Sequence, residues 1–88
     1  MYGDLDVTRE GDGADGPFRI VFRPVGPYIT PAGANHMVDN LEGLKAFLHD
    51  VGLSNDQVRT MCSGLENAQG SWLRVLAATA FLKRNGLI

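Results

Sequence analysis

The chain contains one cysteine, Cys62, so it cannot form an internal disulfide. Small secreted domains usually depend on such bonds, and the N-terminus lacks the basic start and apolar centre of a signal peptide. No apolar run approaches the ~20 residues needed to span a bilayer. We therefore expect a cytoplasmic protein with no membrane segment. The net charge of -2 also provides no overall attraction to nucleic acid or acidic membranes.

Motifs that carry chemistry are also scarce. We find no phosphate-binding loop, serine elbow or paired catalytic motif. Cys62 is predicted on a buried helical stripe, where desolvation suppresses the thiolate, and His49 is predicted at the surface. His36, His49 and Cys62 are thirteen residues apart, which does not match the short paired spacings of zinc sites. We expect no enzyme, no bound metal and no cofactor.

Two helices joined by a short turn give the clearest structural pattern. Apolar residues recur every three or four positions between 41 and 51, and Asp39 or Asn40 can cap the start of this helix. Gly52 is expected to end it in the left-handed conformation. A capping box formed by Ser54 and Gln57 then starts a second helix. Its predicted buried stripe consists of Val58, Met61, Cys62 and Leu65.

Residues 1–16 have a different composition, with five acidic residues, one arginine and four glycines. We expect a flexible, disordered acidic tail because such a segment can bury little apolar surface. Gly11, Gly13 and Gly16 match the dinucleotide fingerprint G-x-G-x-x-G, but Pro17 and a strand-like run follow where a helix should begin. The aspartates of this segment do not match the spacing of a calcium loop. A solvated linker is the better interpretation.

The residues after this tail predict a β-ribbon. Residues 18–23 alternate between apolar and basic or aliphatic side chains, which is typical of a half-buried strand. Residues 28–30 are expected to return as a short second strand, with prolines around both favouring an edge position. Pairing through such an edge would produce a dimer. Residues 32–38 are predicted to be a loop.

The C-terminal segment has two interpretations. A single helix over about 72–85 is favoured by Ser71 as an N-cap and by the stop at Asn85 and Gly86. This helix would be apolar nearly all round, as expected for a central or interface position. The alternative is a strand at 71–76 followed by a short helix, because Trp-Leu-Arg-Val also suits a strand.

Together these elements predict an α+β fold in which a short β-hairpin or ribbon packs on three helices. We expect residues 17–88 to form one small globular domain, preceded by the tail of residues 1–16. A chain of 88 residues buries only ~60% of the surface exposed when it is unfolded, so a second chain could supply further burial.

Protein contact is the expected function: a small, non-enzymatic cytoplasmic interaction module that binds a protein partner or forms a homodimer. Trp72, Phe81 and Leu87 are the candidate partner-binding residues, because they add apolar surface beyond the two helical stripes. The opposing interpretation is that these residues complete the core of the monomer.

DNA binding is the alternative function. The apolar spacing around Gly52 approximates a helix-turn-helix, in which helix 54–67 would enter the major groove. Leu48, however, stands where this motif usually needs a small residue, and the second helix has one cation for phosphate contacts. The candidate nucleic-acid contacts are Arg19, Arg23, Asn55, Gln57 and Arg59.

Overall fold

The structure is a computed structural model that describes residues 1–26 and 35–88. It contains, in chain order, β1 (Tyr2–Arg9), β2 (Phe18–Pro24), β3 (His36–Val38), α1 (Leu41–Val51), α2 (Asn55–Asn67), β4 (Gly70–Leu76) and α3 (Thr79–Arg84). The strands form one antiparallel sheet in the order β3-β2-β1-β4. The predicted α+β fold with three helices is confirmed.

The prediction of a disordered N-terminal tail is wrong. Residues 2–9 form β1, which pairs with β2 on one side and β4 on the other. Leu5 and Val7 are completely buried, whereas Asp4 and Asp6 point to the opposite face of the sheet. The composition of the segment suggested disorder, but its period-two alternation places apolar and acidic residues on different faces.

The β-ribbon is formed by β1 and β2. The predicted strand at 18–23 is confirmed, and its hairpin partner is the N-terminal strand, with Leu5 opposite Phe22. The glycine pattern lies in the connecting loop, where Gly11 and Gly16 adopt φ of 88° and 99°. The glycines therefore allow a turn between strands. The predicted second strand at 28–30 lies outside the described residues.

The predicted loop at 32–38 is partly wrong. Residues 36–38 form β3, which pairs with β2 through Phe18 opposite Val38 and Ile20 opposite His36. A strand of three residues is too short for alternation to distinguish it from a loop. Residues 32–34 lie outside the described part of the chain.

The helical pair follows the sequence prediction closely. Asn40, rather than Asp39, caps α1 by accepting a hydrogen bond from the Gly43 backbone N–H at 2.7 Å. Gly52 ends α1 with φ of 116°. The capping box of α2 is present, since Ser54 and Gln57 exchange hydrogen bonds between side chain and backbone.

The C-terminal segment follows the alternative interpretation, and the single helix over 72–85 is wrong. Residues 70–76 form β4 at the edge of the sheet, and α3 covers only 79–84. Pairing with β1 explains the strand, because it places Val75 in the core and leaves Trp72 and Leu76 exposed. The segment can be assigned only once its partner strand β1 is known, since its short apolar run suits either a helix or a strand.

The helices cover one face of the sheet, which we call the inner face, and enclose a single apolar core. Buried side chains come from every element except β3. The largest completely buried ones are Leu5, Val7, Phe18, Ile20, Phe22, Leu44, Leu48, Met61, Leu82 and Leu87. Among the described residues, no helix is long and apolar enough to cross a membrane.

Candidate interaction surface

The second face of the sheet has no helix packed against it within residues 1–26 and 35–88. We call this surface the outer face. Alternate residues of each strand point towards it because side chains in a strand point to opposite faces in turn. Its residues are Tyr2, Asp4, Asp6 and Thr8 on β1, Arg19, Val21 and Arg23 on β2, Met37 on β3, and Trp72, Arg74 and Leu76 on β4.

Exposed apolar side chains are concentrated on the outer face. Trp72 and Leu76 are 61% and 63% exposed, and Tyr2 and Met37 are 59% and 47% exposed. These four are among the five large hydrophobic residues that are exposed in the described part of the chain; the fifth, Val25, directly follows β2. Tyr2 and Leu76 are partners in the register, whereas Trp72 and Met37 lie on the two edge strands with charged residues between them. The location of all four on one sheet face makes this face the candidate interaction site.

Charged residues on the outer face are arranged by strand. Acidic side chains lie on β1, and arginines lie on the two strands that flank it. Arg74 contacts Asp4 through two hydrogen bonds, Nε to Oδ1 at 3.0 Å and Nη2 to Oδ2 at 3.4 Å. Hydrogen bonding to Asp4, together with the negative charge of Asp4, raises the pKa of Arg74. The face therefore has ordered charge pairs between its strands.

The arginines of β2 are paired as well. Arg23 forms an ion pair with Asp6, and Arg19 forms one with Glu10 at 2.8 Å. A shallow concavity of about 360 Å³ lies between Trp72 on β4 and the side chains of β1 and β2. Glu10 directly follows β1, and with it three carboxylates balance the three arginines, so the surface has almost no net charge.

The structure separates the three predicted partner-binding residues. Trp72 lies on the outer face, where its side chain is exposed. Phe81 is 9% exposed in α3, and Leu87 is completely buried after it. Phe81 also packs against Phe47, with ring centroids 5.3 Å apart. Trp72 is therefore available to a partner, whereas Phe81 and Leu87 contribute to the core of the monomer.

The five candidate nucleic-acid contacts lie on opposite sides of the sheet. Arg19 and Arg23 belong to the outer face, whereas Asn55, Gln57 and Arg59 belong to α2, which packs on the inner face. Gln57 is engaged in the capping box, and Arg59 pairs with Asp56 at 3.2 Å. These residues do not form one continuous basic surface.

A groove of about 430 Å³ between α1 and α2 is the other notable concavity. Cys62 lies half-buried in this groove, and the pKa of its thiol is raised, mainly by desolvation. The charge of nearby Lys45 lowers this pKa, and the charge of Glu66 raises it. His36 stacks on the Phe47 ring with centroids 4.7 Å apart, so it serves as a packing group. The described residues contain no group of three or more side chains suited to a metal ion.

Sequence reasoning identified Trp72 but missed most of its neighbours on the outer face. The composition of residues 1–16 places Tyr2, Asp4 and Asp6 in a tail, and the single-helix interpretation places Leu76 in a helix. A period-two pattern, Gly3-x-Leu5-x-Val7, was present in the tail and would have indicated the strand.

No protein-family model matches the chain, and no curated protein or solved structure matches it.

Proposed function

We propose that this protein is a small, non-enzymatic interaction module of the cytoplasm that binds a protein partner through the outer face of its sheet. The observation that carries the proposal is the position of Trp72, which is 61% exposed on a sheet face that no described element covers. An indole that is mostly exposed to solvent adds little to the free energy of unfolding of the monomer. The single cysteine supports the cytoplasmic assignment.

The composition of the outer face supports a protein partner. Aromatic residues, methionine and arginine are enriched at protein interfaces, and tryptophan and arginine provide many of the strongest contacts. Trp72, Tyr2 and Met37 provide the apolar part of this set, and Arg23 and Arg74 provide the polar part. Their ion pairs hold the arginine side chains in place, which reduces the conformational entropy lost on binding.

DNA binding receives less support. Affinity for DNA comes largely from neutralising phosphates, and Arg19, Arg23 and Arg74 are matched by nearby carboxylates, so the outer face has almost no net positive charge. The cationic side chain of α2, Arg59, is paired with Asp56 and lies on the opposite side of the sheet from Arg19 and Arg23. A duplex cannot contact both sets at once.

A photo-crosslinking experiment tests the proposal. A benzoylphenylalanine replaces Trp72 in the full chain, which is expressed in its own host cells and irradiated. The matched control carries the same group at Thr60, which is exposed on α2. We expect protein adducts from position 72 and none above background from position 60, because reactive contacts concentrate at a specific interface.

Two results would overturn the proposal. One is the absence of adducts from position 72, and the other is an equal set of adducts from both positions. Both variants should retain the wild-type far-ultraviolet circular dichroism spectrum, since both replaced side chains are exposed.

A further inference from the structure

We infer that the outer face binds a second copy of this chain, with the two sheets stacked about a two-fold axis that runs along the strands between β1 and β2. The inference rests on the proposed function and names its partner. It is carried by the distribution of charge over the strands of the outer face.

The strand order makes this symmetry possible. In the order β3-β2-β1-β4, an axis parallel to the strands at the centre of the sheet exchanges β1 with β2 and β3 with β4 between the copies. Asp4 and Arg23 are partners in the antiparallel register of β1 and β2. The rotation therefore places Asp4 of each copy opposite Arg23 of the other, and stacked sheets keep their central strands close to aligned.

A two-fold axis across the strands is electrostatically unfavourable. It would stack β1 on β1 and β2 on β2, so that the strand with Asp4 and Asp6 faces its own copy, as does the strand with Arg19 and Arg23. Like charges brought together at an interface cost several kcal/mol in complexes of known energetics. The axis along the strands instead brings the acidic strand β1 of each copy against the basic strand β2 of the other.

The apolar edges of the face follow the same symmetry. Trp72 lies on β4 and Met37 on β3, at opposite edges of the sheet and in adjacent rows of the register. Exchange of β3 and β4 brings the edge with Trp72 over the edge with Met37 in the second copy. Sulfur-aromatic contacts of this type are favourable, and both exposed side chains would become buried.

Charge balance also favours a second copy over a polyanion. Arg19, Arg23 and Arg74 are matched on this surface by Asp4, Asp6 and Glu10. A face without net charge neither attracts nucleic acid nor repels its own copy. The acidic strand β1 and the basic strand β2 are complementary to the same two strands of a second copy when their order is exchanged.

The test is the solution mass of the purified full chain and of two single variants, Arg23→Asp and Asp4→Arg. Analytical ultracentrifugation should give twice the 9.5 kDa mass of the chain for the wild type. Each variant alone opposes like charges across the axis and should associate about tenfold more weakly or worse. An equimolar mixture of the two restores both Asp-Arg contacts and should dimerise like the wild type.

Arg59→Asp is the matched control, since it also reverses an exposed, ion-paired arginine but lies on α2. It should dimerise normally. The mixture also controls for folding, because a variant that failed to fold could not be rescued by mixing.

Three results would overturn the inference: a wild-type chain that stays monomeric up to ~1 mM, dimerisation that ignores both charge reversals, and a mixture no stronger than its components. The second of these would indicate pairing through a sheet edge. If the chain is monomeric but position 72 still crosslinks to a different protein, the proposed function is supported and only the inferred homodimer is contradicted. The absence of any adduct from position 72 would contradict both the proposed function and the inferred homodimer.

Discussion

The backbone of Gly3 lies against the aromatic ring of Phe22 on the inner face of the sheet. A Cβ atom at position 3 would be 2.4 Å from Phe22 Cζ and 2.6 Å from the carbonyl oxygen of Arg23. Glycine is thus required here by close packing. In the sequence, the same glycine contributed to the appearance of a flexible tail.

Gly3→Ala should destabilise the protein by about 2 kcal/mol, because the backbone must move to relieve the contact with Phe22. Urea denaturation followed by circular dichroism measures the change. Gly70→Ala is the matched control, since a Cβ at this position would lie an ordinary 3.7 Å from the carbonyl oxygen of Val7. Equal stabilities of the two variants would contradict the position of β1.

Leu87→Ala should cost ~3 kcal/mol, because the side chain is completely buried and its removal leaves a cavity. Trp72→Ala should change the free energy of unfolding by less than ~1 kcal/mol, since the indole is mostly exposed. Thermal denaturation of both variants compares the two positions. A larger loss for Trp72→Ala than for Leu87→Ala would show that the indole belongs to the core.

Ser54→Ala should cost ~1 kcal/mol, since it removes the acceptor of the Gln57 backbone N–H in the capping box of α2. Ser63→Ala makes the same chemical change at an exposed position within the helix, where alanine is the better helix former. It should leave stability unchanged or slightly increased. Urea denaturation of the pair isolates the cap, and equal effects would contradict its role.

The thiol of Cys62 should be alkylated more slowly at neutral pH than a free cysteine, because burial raises its pKa. The rate should therefore reach half of its maximum at a higher pH than for a model thiol. Glu66→Gln should move this midpoint down and Lys45→Gln should move it up, since the carboxylate raises the pKa and the ammonium lowers it. Iodoacetamide labelling followed by mass spectrometry measures the midpoints.

The same shift has a consequence for stability. The fold favours the neutral thiol of Cys62, so this contribution is present below the ordinary thiol pKa and is lost as the pH rises through the raised value. Cys62→Ser, which does not titrate in this range, should reduce the loss of stability at alkaline pH. An unchanged pH dependence would contradict the shift.

Local interactions explain what could be predicted. The caps of α1 and α2 and the turn at Gly52 depend on residues no more than a few positions apart. The strand at 18–23 has its own strong alternation. These patterns extend over one helical turn or one strand, so all the residues that form each pattern are close together in the sequence.

The sequence alone therefore determined the paired helices, their caps, one strand and the α+β class. Tertiary pairing decided the rest: β1 is a strand because β2 and β4 lie on both sides of it, and β4 is a strand because it pairs with β1, which turns Trp72 and Arg74 away from the core. The outer face exists only after that pairing, since it joins Tyr2 to Leu76 and Asp4 to Arg74 over some seventy residues of chain. The alternation at Leu5 and Val7 could indicate a strand, but it could not name β2 and β4 as its neighbours, because that pairing joins residues far apart in the chain.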